Sequence, residues 1–513
     1  MAKNCLCLTA KTIDRNIEIL NKYRKFTDIA ELRVDYLEQD ERLYIRRFPE
    51  LAGIPVILTI RRDVDGGQFT GGEGARVKLL ARGLAFANAD SRLNFAYVDI
   101  EDDLKVPSLE EAARTFGTRI IRSYHNLEGD DFDICAKIKS MQRTGDEIVK
   151  MAVAVHTTSD VHRIYKASKN CAIKNKIIVC MGHLGIYSRI LADKFGSIIT
   201  YSSALSETEA AGASGQLDVQ DIIELYRFKK IGKKTKIFGI VGYPLKASIS
   251  PWFFNSVFSL EKNDAVYVPF PTDSVSDFVD LANELGVHGF AVTVPYKEAV
   301  LSRLTKQSVK VDAVGACNTV YKVNGEWHGE NTDITGFSNS LLAFINKKNL
   351  KHQKVTIVGA GGAARAVAAE VHRLGGKALV LNRTLSKAKS LAALYNFRWG
   401  SLGASGIELV SKFSDIIIQT TSVGMEGYEN ADPLELYTFT GKEAVMDLIY
   451  MPAETPILKR AKTAGCKTLN GYDMVIRQAC LQYANFAGKE IPKKSLDRIN
   501  SLGENKWSRI RIG

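Results

Sequence analysis

Lys150 sits inside the apolar run Ile148-Val-Lys-Met-Ala-Val-Ala-Val155, where a two-residue period puts Lys150, Ala152 and Ala154 on one face and Val149, Met151 and Val153 on the other. With the small residues turned inward, the lysine becomes a desolvated amine whose lowered pKa suits imine formation with a ketone. An edge-strand or snorkelling lysine is the bland alternative. Polar residues ending the neighbouring runs weigh against it. Ser123-Tyr-His125-Asn126 ends the preceding run, Val98-Asp-Ile-Glu101 the one before, and Glu31-Leu-Arg33 and Thr59-Ile-Arg61 earlier ones. His125 is one of eight histidines, and a histidine at a strand end with a carboxylate one strand away is a candidate proton shuttle.

A second chemical set lies downstream. Val355 to Val358, then Gly359-Ala-Gly361-Gly362-Ala363 and an apolar helix, read as strand, glycine turn and helix, where backbone N–H groups can approach a pyrophosphate. The next strand ends in Asn382-Arg383-Thr384, placing a guanidinium where an acidic ribose ligand would stand. That exchange favours a 2′-phosphate, and therefore NADP over NAD. Reducing a ketone by hydride also requires a proton for the developing alkoxide. Lys297, after the turn Thr293-Val-Pro-Tyr, and Asp333 can form a donor pair; Asp333 can equally be a helix N-cap before Ile334.

These residues need elements to hold them. Apolar or β-branched runs at Asn4–Thr9, Ile29–Val34, Pro55–Ile60, Ala96–Ile100, Arg119–Ser123, Ile148–Val155, Lys176–Met181 and Ile198–Tyr201 alternate with helical stretches. Their spacing of roughly 25 residues predicts a closed (β/α)8 barrel whose active face is at the carboxyl ends of the strands. A basic segment, Lys229 to Lys236, precedes a new α/β pattern from Ile237, and a polar stretch near Asn346 to Lys351 precedes the glycine-turn strand. The predicted fold is thus α/β, a barrel followed by a two-domain α/β enzyme with a Rossmann-type nucleotide domain. Its boundaries are 1–228, a linker at 229–236, 237–346, 347–475, and C-terminal helices at 476–513 that pack back on the second domain.

At 513 residues, with 45% hydrophobic and 25% charged residues, the chain has ordinary globular composition and room for several cores. No run is long and apolar enough for a membrane span, and no signal or transit pattern opens the sequence. The eight cysteines are scattered without metal-ligand spacing, which predicts reduced core thiols and no metal site. A net charge of +12, with no basic run beyond Lys229-Lys230 and Lys233-Lys234 and no nucleic-acid motif, fits anionic small molecules better than nucleic acid.

The barrel set, with Gly182-His-Leu-Gly185 leading to Ser188-Arg189, resembles type I 3-dehydroquinate dehydratase over residues 1 to about 228. The resemblance implies that Lys150 forms the imine, His125 moves protons and Glu101 orients His125. It further implies that Arg189 pairs with the substrate carboxylate and that Glu31, Arg33, Arg61 and Gln216 bind elsewhere on the ligand. In the second half, Ser248-Ile-Ser250-Pro251, Val292-Thr293-Val-Pro-Tyr-Lys297, Gly315-Ala-Cys-Asn318-Thr319, Asn331-Thr-Asp333-Ile-Thr-Gly336, Asp447-Leu-Ile-Tyr450 and Gly471-Tyr-Asp-Met474 with Gln478 occur in order. Together they resemble shikimate dehydrogenase across residues 236 to 500. This implies that Lys297 and Asp333 are catalytic, that Ser248, Ser250, Thr293, Asn318, Tyr450 and Gln478 hold substrate, and that Gly359, Gly361, Gly362, Ala363, Asn382, Arg383 and Thr384 hold NADPH.

The pair of resemblances implies a bifunctional shikimate-pathway enzyme: 3-dehydroquinate is dehydrated to 3-dehydroshikimate, which is reduced to shikimate. Its partners are then these small molecules, with no nucleic acid or membrane, a homodimer left open, and a cytoplasmic location, or a plastid one after loss of a transit peptide. Use of quinate or NAD by the second half, and an inactive ligand-sensing regulator, are the alternatives; loss of Lys150, His125, Lys297 or Asp333 would favour the regulator, and all four are present. The sequence departs from the family patterns at Ala247, Ala291, Gly212 and Ser214.

Overall fold

A computed structural model describes residues 1–85, 90–129, 132–207, 213–245, 248–425 and 427–503. Gly212 and Ala247 lie outside the described residues. The chain forms two compact units, Met1–Tyr296 with the segment from Lys493, and Lys297–Pro492.

The first unit opens with eight parallel strands: β1 (Lys3–Leu8), β2 (Ile29–Arg33), β3 (Val56–Thr59), β4 (Tyr97–Glu101), β5 (Arg119–Asn126), β6 (Ile148–Ala154), β7 (Lys176–Met181) and β8 (Ile199–Ser203). They pair in the order β7-β6-β5-β4-β3-β2-β1-β8, and short β9 (Leu217–Asp218) pairs parallel beside the end of β8. The curled sheet closes without a regular ladder. Ile198 donates its amide to Lys176 O at 3.0 Å, while Ser197 Oγ accepts from Ile178 N at 2.7 Å and donates to Ile178 O at 3.0 Å. β5 runs three residues beyond its predicted end, so His125 is within the strand.

Alternation sorts the side chains. Leu6, Leu8, Ala30, Leu32, Val56, Leu58, Val98, Ile100 and Ile120 form a core outside the sheet, and the opposite parity points inward. Each inward row changes character towards its carboxyl end: Ile29 gives way to Glu31 and Arg33, Ile57 to Thr59 and Arg61, Ile121 to Ser123 and His125, Ile148 to Lys150. An apolar floor of Cys5, Ile29, Ile57, Ile121, Ile148, Ile177 and Ile199 therefore underlies a polar rim.

The basic segment after the barrel is tied down. Phe228, Ile231 and Thr235 are buried, Lys229 pairs with Asp28 at 2.6 Å, and Thr235 Oγ1 donates to Asp264 at 2.6 Å. Parallel strands β10 (Lys236–Gly242), β11 (Ala265–Pro271) and β12 (Val287–Val292) follow, with β10 central and two aromatic groups, one of Phe238, Phe254 and Phe258 and one of Phe270, Phe278 and Phe290.

In the second unit, β13 (Lys306–Gln307), β14 (Thr319–Val323) and β15 (Glu326–Glu330) precede helix Thr332–Ile345. The remaining strands are β16 (Lys354–Val358), β17 (Lys377–Asn382), β18 (Arg398–Ser401), β19 (Ile416–Gln419), β20 (Ala444–Asp447) and β21 (Lys467–Leu469). All six are parallel in the order β18-β17-β16-β19-β20-β21, the doubly wound arrangement of dinucleotide folds. Helix Tyr472–Ala487 crosses the boundary expected at 475 and packs on helix Thr332–Ile345; its uninterrupted helical pattern gives no break there. Helix Lys493–Gly503 instead meets helix Ser250–Leu260, and Ser495 Oγ donates to Glu261 Oε1.

Candidate active sites

A cavity of about 440 Å³ opens at the carboxyl ends of the barrel strands, and Glu31, Arg33, Arg61, His125, Lys150, Arg189 and Gln216 all line it. Ala152 and Ala154 share its wall, so β6 presents its small-residue face and the lysine to the same space. The amine of Lys150 lies 2.9 Å from Asp99 Oδ2 and 3.9 Å from Glu31 Oε1, with the Tyr201 ring centroid 4.5 Å away. Burial pushes the Asp99 carboxyl up, but Arg61, Lys150, His125 and the Ser123 hydroxyl outweigh it and hold Asp99 well below the usual carboxylate range. A chain of side chains fixes Glu31: Thr59 Oγ1 donates to it at 2.9 Å, Cys7 Sγ donates at 3.1 Å, and Gln216 Nε2 donates to Cys7 Sγ at 3.2 Å.

His125 is neutral by environment. Burial, reinforced by the positive charges of Arg61 and Lys150, pushes it well below 6.5, and its Nδ1 is buried without a hydrogen-bond partner among the described residues. Glu101 does not supply that partner, in contrast to the expected role. It is clamped by Arg61 and Arg76 and stands outside the cavity wall, because two buried guanidiniums take both of its oxygens. Glu101 pairs with Arg61 instead.

Arg189 differs from the other cavity arginines. Arg33 pairs with Asp35 at 2.7 Å and Arg61 with Asp99 at 2.8 Å, whereas no carboxylate among the described residues pairs with Arg189. Its Nη2 donates to Ser214 O at 3.0 Å, its Nε is buried without a partner among the described residues, and burial pushes its pKa down to about 10. An unneutralised buried guanidinium is a receptor for an anion. Asp65, His156 and Tyr201 also line the cavity, although sequence reasoning did not select them. Tyr201 could have been found from its inward parity on β8; Asp65 ends a single 3-10 turn and His156 lies in a loop, where period carries no signal.

In the second unit, Lys297 Nζ meets Asp333 Oδ2 at 2.6 Å, with side chains 36% and 22% exposed, so the pair is preformed and open to a ligand. Asp333 is not the N-cap. Asn331 takes that place, accepting from Ile334 N at 3.3 Å, and Asp333 sits in the first turn, where the helix dipole favours its charge. Asn318 and Gln478 come together around Thr332. Asn318 Oδ1 accepts from Thr332 N at 2.7 Å, and Thr332 Oγ1 and Asn318 Nδ2 reach Gln478 Oε1 at 3.4 and 3.5 Å. Tyr450 follows β20, half-buried; Ser248, Ser250 and Thr293 belong to the first unit, following β10 and β12, with Ser250 N donating to Ser248 Oγ at 3.2 Å.

The nucleotide motif follows β16 as expected from its pattern. Gly359 has φ +117°, and a Cβ there would meet Thr420 Oγ1 at 2.4 Å, so only glycine fits. Gly361 is the N-cap and Gly362 the first residue of helix Gly362–Arg373; added Cβ atoms at both would meet nothing within 4 Å. Ala363 continues the first turn, leaving bare amides at an open helix N-terminus. Asn382 ends β17 and donates from Nδ2 to Thr384 O at 3.0 Å. Arg383 is exposed, with no ion pair to it among the described residues.

Comparison with known proteins follows the same division. Residues 4–233 match the model for type I 3-dehydroquinase, 240–320 that for the shikimate dehydrogenase substrate binding domain, and 341–427 that for shikimate / quinate 5-dehydrogenase. The chloroplastic bifunctional 3-dehydroquinate dehydratase/shikimate dehydrogenase of Arabidopsis thaliana is 28% identical, over 97% of this chain and 84% of its own. The shikimate biosynthesis protein AroDE of Chlamydia pneumoniae is 28% identical, over 82% of this chain and 84% of its own. The shikimate dehydrogenase (NADP(+)) of Caldanaerobacter subterraneus subsp. tengcongensis is 38% identical, over 52% of this chain and 96% of its own. A lysine-bearing barrel and a nucleotide fold with a lysine–aspartate pair, matched in that order along one polypeptide, have one common explanation: the chain belongs to the bifunctional 3-dehydroquinate dehydratase/shikimate dehydrogenase family.

Proposed function

We propose that Lys150 forms an imine with the ketone of 3-dehydroquinate and that His125 moves the protons of the elimination. The supporting observation is the amine itself, buried in the cavity wall on the small-residue face of β6, 2.9 Å from Asp99 and 3.9 Å from Glu31, where a ketone in the cavity can reach it. Attack joins Nζ to the carbonyl carbon, and the carbonyl oxygen leaves as water. The imine nitrogen then accepts the electron pair as His125 removes the proton beside the former ketone, and the substrate hydroxyl, protonated by His125, departs as water; a further water then hydrolyses the imine, restoring the ketone and releasing the Lys150 amine. Arg189 holds the substrate carboxylate; Glu31, Arg33, Arg61 and Gln216 contact the rest of the ring.

The product, 3-dehydroshikimate, still carries a ketone, and the second half reduces it. NADPH supplies the hydride when bound. Bare amides at Gly361 and Gly362 suit its pyrophosphate, and the unpaired Arg383 with Thr384 suits a 2′-phosphate. Lys297 delivers a proton to the alkoxide and Asp333 orients Lys297. Asn318, Gln478 and Tyr450, together with Ser248, Ser250 and Thr293, are assigned to the substrate hydroxyls and carboxylate.

Borohydride added with 3-dehydroquinate tests the first half directly. Reduction should fix a stable adduct on the peptide containing Lys150, and undiminished trapping in Lys150→Ala would overturn the assignment.

A further inference from the structure

Two parts of the barrel cavity rest on residues outside the barrel. The strand carrying Lys150 passes through Val155, His156 and Thr157 into helix Thr158–Asn170, and His156 lines the cavity. Within the barrel, Asp160 Oδ2 accepts from His156 N at 3.1 Å and Thr157 N at 2.9 Å. The next amide, Thr158 N, has no acceptor of that kind. It donates instead to Asp273 Oδ1 at 2.8 Å; Thr158 Oγ1 donates to the same oxygen at 2.6 Å and lies 2.5 Å from Thr272 Oγ1. Thr158 and Thr272 are both fully buried. Thr272 and Asp273 immediately follow β11, in the reductase half.

The second support is aromatic. Tyr187 stands two residues before Arg189 in a single helical turn and is fully buried. Its ring packs edge-on against Phe270 of β11, 5.1 Å between centroids, with Phe195 on another side at 6.5 Å. Further down helix Thr158–Asn170, Ser159 Oγ donates to Asp277 at 3.2 Å, and His162 and Lys166 reach Glu284 at 3.1 and 2.8 Å.

We infer that the reductase half supplies positioning residues to the dehydratase cavity: Asp273, with Thr272, fixes the loop bearing His156, and Phe270, through Tyr187, fixes the turn bearing Arg189. The second clause rests on the reading of Arg189 as the substrate-carboxylate partner. The two sites are then chemically separate but not structurally separate, and the dependence runs from the second half to the first.

Full-length variants test this with both activities measured on each. Asp273→Ala should lower dehydratase kcat about fivefold or more, since small misplacements are amplified in rate, while shikimate oxidation stays within about twofold. Amide hydrogen exchange across residues 156–161 should quicken, and Asp273→Asn, which keeps an acceptor oxygen, should recover most of both. Phe270→Leu should raise KM for 3-dehydroquinate about fivefold with little change in kcat, the split expected when ground-state binding alone is lost. Faster exchange at 156–161 with dehydratase kcat and KM unchanged would overturn the inference. So would a parallel fall of both activities in Asp273→Ala. Should Phe270→Leu fail to fold, the two Asp273 variants decide. Arg189→Gln isolates the underlying reading: an unchanged KM there removes the carboxylate assignment and leaves the Asp273 result to stand by itself.

Discussion

At the scale of single residues the barrel site works by unequal pairing. Most buried charges are neutralised, Arg33 by Asp35 and Arg61 by Asp99 and Glu101, while His125 Nδ1 and Arg189 Nε are left for a ligand. Because His125 is held well below 6.5 by burial and by Arg61 and Lys150, it remains a base as pH falls through 6.5. The acid limb of dehydratase kcat/KM should therefore lie below pH 6.5, and a limb at 6.5 or above that disappears in His125→Gln would contradict this. Stability carries the opposite sign. Below 6.5 the unfolded chain binds a proton at this position that the native chain does not, so stability falls as pH drops in that window, and His125→Gln should flatten the slope in denaturant titrations. Arg383 poses a simpler question. Arg383→Asp should weaken NADPH about tenfold or more and improve NADH, and equal effects on both nucleotides would make the residue a structural one.

Elements decide which of these residues meet. The inward parity of Lys150, Ala152 and Ala154 was legible because a period of two is a property of the run itself. So was the nucleotide turn, whose glycines occur between a β-branched strand and an apolar helix. The partner of Glu101 was not legible: Arg76 comes from a helix between two strands, and nothing local in the sequence says that it reaches the barrel interior. Asp273 was equally hidden, since it caps a helix 115 residues earlier in the chain. Helix packing gives a sharper test. A Cβ at Gly336 would stand 2.8 Å from Gln478 Cβ and 3.1 Å from Met474 O, so Gly336→Ala must push helix Tyr472–Ala487 outward, carrying Gln478 with it. Overpacking of this kind costs about 1–3 kcal/mol. Shikimate KM should rise while dehydration is unaffected; a lowered melting temperature with KM unchanged would show that Gln478 does not contact substrate.

Across the whole molecule, two consecutive reactions share one polypeptide, and their dependence on one another should be asymmetric. Each catalytic set is complete within its own half of the sequence, so Lys297→Ala should remove most ketone reduction and leave dehydration at full rate. Removing the second half altogether is a different perturbation. A chain ending after Ile231 would keep Lys150, His125 and Arg189 but expose Tyr187, strip the acceptor from Thr158 N and leave Ser159, His162 and Lys166 without Asp277 and Glu284. The lost aromatic pair is worth about 0.5–1.5 kcal/mol and the lost helix cap about 1 kcal/mol. For a barrel of this length that sum lowers the melting temperature by about 3–10 °C. Thermal scans of the truncated and full chains, with dehydratase KM measured well below either transition, separate the two effects. If the isolated barrel matched the full chain in both, the contacts made by Phe270 and Asp273 would be mere packing between independent enzymes. If KM rose at temperatures where the barrel is fully folded, fusion would be doing something that a tether does not: completing the first active site with the body of the second enzyme.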